Sequence, residues 1–70
     1  MKTTMLQRPK YKVGDILVKY SYGDKGDLIR EPVIVESIEI FKDVLNYNVS
    51  TLKGSTILGV LERYLERFWV

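Results

Sequence analysis

The chain has 70 residues, of which 46% are hydrophobic and 29% charged; it carries no cysteine, no histidine and a formal net charge of +2. This is a globular composition of single-domain length, and it excludes disulfides, thiolate metal sites, a thiol nucleophile and an imidazole base. A core this small is marginal without disulfides or metal, which leaves tight packing or self-association to hold it.

Charge is unevenly placed: residues 1–19 carry a net +4, residues 20–43 a net −3 and residues 44–70 a net +1. No apolar run approaches the roughly 20 residues of a membrane span. Residues 1–6 also lack the apolar stretch of a signal peptide, so a cytoplasmic location is expected.

Residues 1–9, closed by Pro9, read as a flexible basic lead-in, and residues 10–70 as a single domain. Lys2, Arg8, Lys10 and Lys12 form an arm able to touch phosphate, which makes nucleic acid an alternative partner. A solvated tail accounts for the same charges. Next, Gly14 supplies backbone freedom and Asp15 can accept hydrogen bonds from nearby amides. From Ile16 onward, Ile16, Val18 and Tyr20 alternate with Leu17, Lys19 and Ser21, which is the period of a strand.

Residues 22–31 show no periodicity and read as a loop or long hairpin tip, and Pro32 suits a strand start. Residues 33–41 form a second strand. Val33 and Val35 share one face and Ile38 and Ile40 the other, so a bulge or bend is expected near Glu36-Ser37. Lys42-Asp43 is a turn. Residues 44–52 alternate again, with Leu45, Tyr47, Val49 and Thr51 on one face, and Lys53-Gly54 reads as a two-residue hairpin turn.

Residues 55–70 admit two readings. Ile57, Val60, Leu61, Tyr64, Leu65 and Phe68 have helical spacing, with Ser55 as a cap. Gly59 and the β-branched Thr56, Ile57 and Val60 argue for a strand. The preferred reading is a strand over 56–61, a helical turn over 62–66 and a final strand over 67–70. Four or five short antiparallel strands with a bent second one predict a mainly β fold, a closed or half-closed small barrel that hides its sheet edges.

The run Tyr11-Lys12-Val13-Gly14-Asp15-Ile16-Leu17-Val18 resembles the aromatic-x-x-Gly-Asp opening of SH3-like small barrels, including KOW-type and Tudor-like modules. The segment Leu61-Glu62-Arg63-Tyr64-Leu65-Glu66-Arg67-Phe68-Trp69 resembles the closing segment of short phage-encoded barrels. The resemblance spans residues 11–69. It implies a binding module and a phage or bacterial setting. A phage or bacterial accessory protein that binds and inhibits a host protein is the expectation drawn from the small barrel, the exposed aromatic candidates and the mixed-charge loop together.

The loop Tyr22-Gly23-Asp24-Lys25-Gly26-Asp27 lacks both the Walker spacing and the EF-hand order. Glu36 and Glu39 fall on opposite faces of a strand, and on a helical turn Glu62 and Glu66 interleave with Arg63 and Arg67 as a solvated face. No catalytic set, metal site or cofactor is expected. Of the aromatics Tyr11, Tyr20, Tyr22, Phe41, Tyr47, Tyr64, Phe68 and Trp69, most are expected in the core; Tyr22 and Trp69 are the two least explained by packing and suit interface anchors. The expected function is therefore non-enzymatic binding of a protein partner through Tyr22, Asp24, Lys25, Asp27, Arg30 and Trp69. The alternatives are nucleic-acid binding through the basic arm and a structural, self-assembling subunit such as a homodimer.

Overall fold

A computed structural model describes residues 8–68. Five strands form one antiparallel sheet: β1 (Ile16–Tyr22), β2 (Leu28–Phe41), β3 (Val44–Thr51), β4 (Thr56–Leu61) and β5 (Leu65–Arg67), in the spatial order β4-β3-β2-β1-β5. Three hairpins in succession build the first four strands, and β5 returns to pair with β1. The sheet is open. β4 and β5 are its edges and do not pair with each other, so the expected SH3-like barrel appears as an antiparallel sheet without closure. Among the described residues no helix is long and apolar enough to cross a membrane.

The core is the row predicted on β3, namely Leu45, Tyr47 and Val49, joined by Tyr11, Leu17, Val33, Val35, Val60 and Leu65, with Thr51 buried at its end. Period-two alternation decides which residues enter, because each inward side chain is followed by an outward one. On β1 the inward row holds Leu17, fully buried, whereas Ile16 is exposed.

Glu36 is the extra residue of a bulge, since the register steps from Val35↔Val49 to Ser37↔Asn48. One inserted residue reverses the parity of the strand. Ile38, opposite Tyr47, therefore packs against the same core as Val33 and Val35. The same reversal corrects the placement of Glu36 and Glu39. Both lie along the outer row of β3, where Glu36 accepts a hydrogen bond from the Ser50 hydroxyl at 2.6 Å and Glu39 one from the Asn48 amide at 3.1 Å.

A second bulge lies in β4, where two steps on β3 from Tyr47 to Val49 match three on β4 from Val60 to Ile57. Gly59 sits in it at φ +70°, a conformation that disfavours any side chain. Asn48 ties the two bulges together. Its amide nitrogen donates to Ser37 Oγ at 2.9 Å, and its amide oxygen accepts from the Gly59 N–H at 3.1 Å.

Several boundaries differ from the sequence expectation. β2 begins at Leu28, so the β1–β2 connection is residues 23–27 rather than 22–31. Pro32 lies inside the strand, opposite Val18, in the stretch before Val33 where β2 has β1 but not β3 as a neighbour. An edge of this kind tolerates a residue with no N–H. The β3–β4 turn has three residues, Leu52 to Gly54, because Thr51 N–H bonds to the Ser55 carbonyl at 2.8 Å. The chain after β4 makes a 3₁₀ turn over Glu62–Tyr64, and β5 starts at Leu65. Glu66 and Arg67 therefore sit on a strand, not on a helical turn with Glu62 and Arg63.

Candidate functional site

Residues 10–15 are clasped to the sheet. Gly14 N–H bonds to the Val35 carbonyl at 2.8 Å, and Val35 N–H to the Asp15 carbonyl at 3.0 Å. The Asp15 carboxylate accepts from Lys12 N–H at 2.9 Å, as its place in the sequence suggests. Tyr11 is buried, its hydroxyl donating to the Leu65 carbonyl at 3.1 Å and its ring meeting Tyr47 edge-on at 5.7 Å. The Gly14-Asp15 motif thus holds the start of the sheet.

The Tyr47 hydroxyl is the hub of this end. It accepts from the Lys10 and Tyr11 amides at 3.0 and 3.3 Å and donates to Glu62 Oε2 at 2.6 Å. Burial, with the Glu62 hydrogen bond, pushes its pKa up to about 12. Nearby, the Tyr20 hydroxyl donates to Glu66, which raises its pKa, with Arg30 opposing. Proton-holding tyrosines of this kind fasten segments together and offer no base near neutral pH. Among the described residues no group of three or more acidic residues could hold a metal ion.

A groove lies between β1 and β4, walled by Lys19, Tyr20, Tyr22, Ile57, Leu58 and Tyr64 among others. Two open strand edges border it. β4 is paired on its β3 side only, and β1 beyond Lys19 is no longer covered by β5, which pairs with Leu17 to Lys19. Tyr22 and Leu58 are 71% and 73% exposed. Tyr64 is also exposed, with the Arg63 guanidinium 5.2 Å from its ring centre. Among the described residues no carboxylate lines the groove. Lys19, half-buried, has no side-chain hydrogen bond, ion pair or ring contact among the described residues.

Of the expected partner-binding residues, only Tyr22 lies at this groove. Asp24, Lys25 and Asp27 are exposed on the β1–β2 loop, which is held by Gly23 N–H to the Asp27 carbonyl at 2.8 Å. Arg30 lines a separate depression with Val18, Pro32 and Phe68. Trp69 and Lys2 lie outside the described residues. Arg8, Lys10 and Lys12 are exposed, but Lys10 and Lys12 belong to the clasped segment rather than to a free arm.

Tyr64 and Leu58 were hidden from sequence reasoning by their spacing, which suits either a helix or a strand. Lys19 was hidden because nothing local shows that β1 approaches β4.

Comparison with family models gives no match, and neither the curated proteins nor the solved structures give one.

Proposed function

We propose that this chain is a non-enzymatic protein-binding module on an SH3-like, half-closed sheet, and that it binds through the β1–β4 groove. Support for the fold reading is the strand order β4-β3-β2-β1-β5 with a 3₁₀ turn just before the last strand. The observation that carries the functional reading is the convergence of exposed Tyr22, Leu58 and Tyr64 on one groove. Large exposed side chains gathered at one place are costly to leave in water, and tyrosines are favoured anchors of protein interfaces. The narrower form of the proposal, a phage or bacterial accessory protein that inhibits a host protein, takes its setting from the resemblance of residues 61–69 to short phage-encoded barrels and its role from the exposed aromatics and the mixed-charge loop.

Affinity capture from bacterial lysate tests the reading. A specific protein is retained by the wild type and lost with Tyr64→Ala or Leu58→Asp, while thermal unfolding of both variants stays cooperative. Retention of DNA or RNA in its place, with affinity falling steeply as salt rises, counts against the proposal.

A further inference from the structure

We propose that the β1–β4 groove takes an extended, acidic segment of a protein partner. The segment lies along the unpaired edge of β4 and sets a carboxylate on Lys19. This inference rests on the protein-binding reading above and adds the chemistry and conformation of the partner.

Three observations carry it. First, β4 presents backbone donors and acceptors on the side away from β3. Such an edge is satisfied by a chain in strand conformation, and main-chain hydrogen bonds then supply affinity independent of sequence. Second, the walls are apolar and aromatic. Leu58, Ile57, Tyr22 and Tyr64 match the alternate side chains of an extended peptide, which point to opposite sides at each residue. Third, the groove is electrostatically one-sided. Lys19 is half-buried, unpaired among the described residues and the only ionisable side chain on the walls besides tyrosine. Glu31 stands opposite Lys19 in the β1–β2 register but forms no ion pair with it, so the ammonium keeps its donors for a carboxylate on the ligand.

A nucleic-acid strand fits less well. It needs a series of cations along its phosphates, and this groove supplies one, whereas the apolar wall of β4 and its backbone edge have no use for a base.

The test selects mRNA-displayed random decapeptides on the full chain, then titrates an enriched peptide and its copy with Asp and Glu changed to Asn and Gln. The expected peptides alternate apolar residues around at least one acidic residue. Binding weakens about tenfold with Lys19→Gln, as for loss of one charge-assisted hydrogen bond. It weakens about equally with the amide peptide, and the two changes together cost little more than either alone. Amide exchange at Thr56–Leu61 of the wild type slows in the complex, a readout that needs no variant.

Peptides that bind without responding to Lys19→Gln, or without protecting β4, overturn the inference and leave the protein-binding reading standing. Failure to enrich any peptide overturns the inference. Salt-sensitive capture of single-stranded RNA or DNA in place of peptide overturns both.

Discussion

Tyr47 and Glu62 meet through a hydrogen bond of 2.6 Å that joins the middle of β3 to the 3₁₀ turn, with the tyrosine hydroxyl also receiving the amides of Lys10 and Tyr11. Three segments distant in sequence converge on one oxygen atom. The Lys10 amide has a second acceptor, Glu62 Oε2 at 2.9 Å, whereas the described hydrogen bonds give the Tyr11 amide only Tyr47. Tyr47→Phe therefore strands the Tyr11 N–H inside the core. The expected loss is about 2 kcal/mol, the cost of an unsatisfied buried donor. Urea unfolding checks it, as a lower midpoint at unchanged slope. A change under about 0.5 kcal/mol would show that water replaces the hydroxyl.

The same hydroxyl gives the fold an alkaline limit. Its pKa rises from 10.0 to about 12 in the folded chain, so folding favours the protonated form. That contribution is complete below pH 10, declines as pH rises from 10 to 12, and is lost above the folded value. Unfolding free energies of wild type and Tyr47→Phe, measured from pH 8 to 12, should converge at the alkaline end. Curves that stay parallel would contradict the assignment.

Asn48 uses both ends of its amide, one toward Gly59 and the other toward Ser37 and Glu39. Asn48→Asp keeps the acceptor for Gly59 and turns the donor into a carboxylate facing Glu39. The variant loses about 1–3 kcal/mol at neutral pH. It recovers part of this as pH falls through the ordinary carboxylate range, where one of the two acids takes a proton. Thermal melts at pH 7 and pH 4 separate this from a simple packing defect, which would not recover.

The β2–β3 turn holds Lys42 at φ 51° and Asp43 at φ 64°, both left-handed and neither glycine. Lys42→Asn, which leaves Asp43 in place, relieves strain of order 1 kcal/mol at that residue. It forfeits the contact of the Lys42 ammonium with Phe41 at 5.4 Å, an exposed interaction of about 0.5 kcal/mol. The expected net effect is a higher melting temperature, and a fall would mean that the native side chains do more at this turn than shape it.

Much of the sheet was legible because burial leaves a mark on sequence. β3 alternates cleanly since one face meets the core, and the Glu36 bulge shows as a break in the phase of Val33, Val35, Ile38 and Ile40. The start of β2 left no such mark. Leu28, Ile29 and Arg30 are all exposed, held as strand by pairing with β1 rather than by a buried face, so no pattern announces them. The groove was illegible for a related reason. Lys19 and Leu58 become neighbours of one cavity only through the curl of the whole sheet, a property of strand order that no local spacing encodes.

The pairing of the last strand with the first sets the order in which the molecule assembles. Each of the three hairpins forms across a short turn, but the bond between the Tyr11 hydroxyl and the Leu65 carbonyl spans 54 positions. Closing so long a loop carries the largest entropic cost, so β5 docks late and is the first strand to fray. Tyr64, a wall of the groove, immediately precedes that strand. A ligand of the proposed groove that grips Tyr64 would hold this seam shut, and its occupancy would be readable as slower local opening of β5.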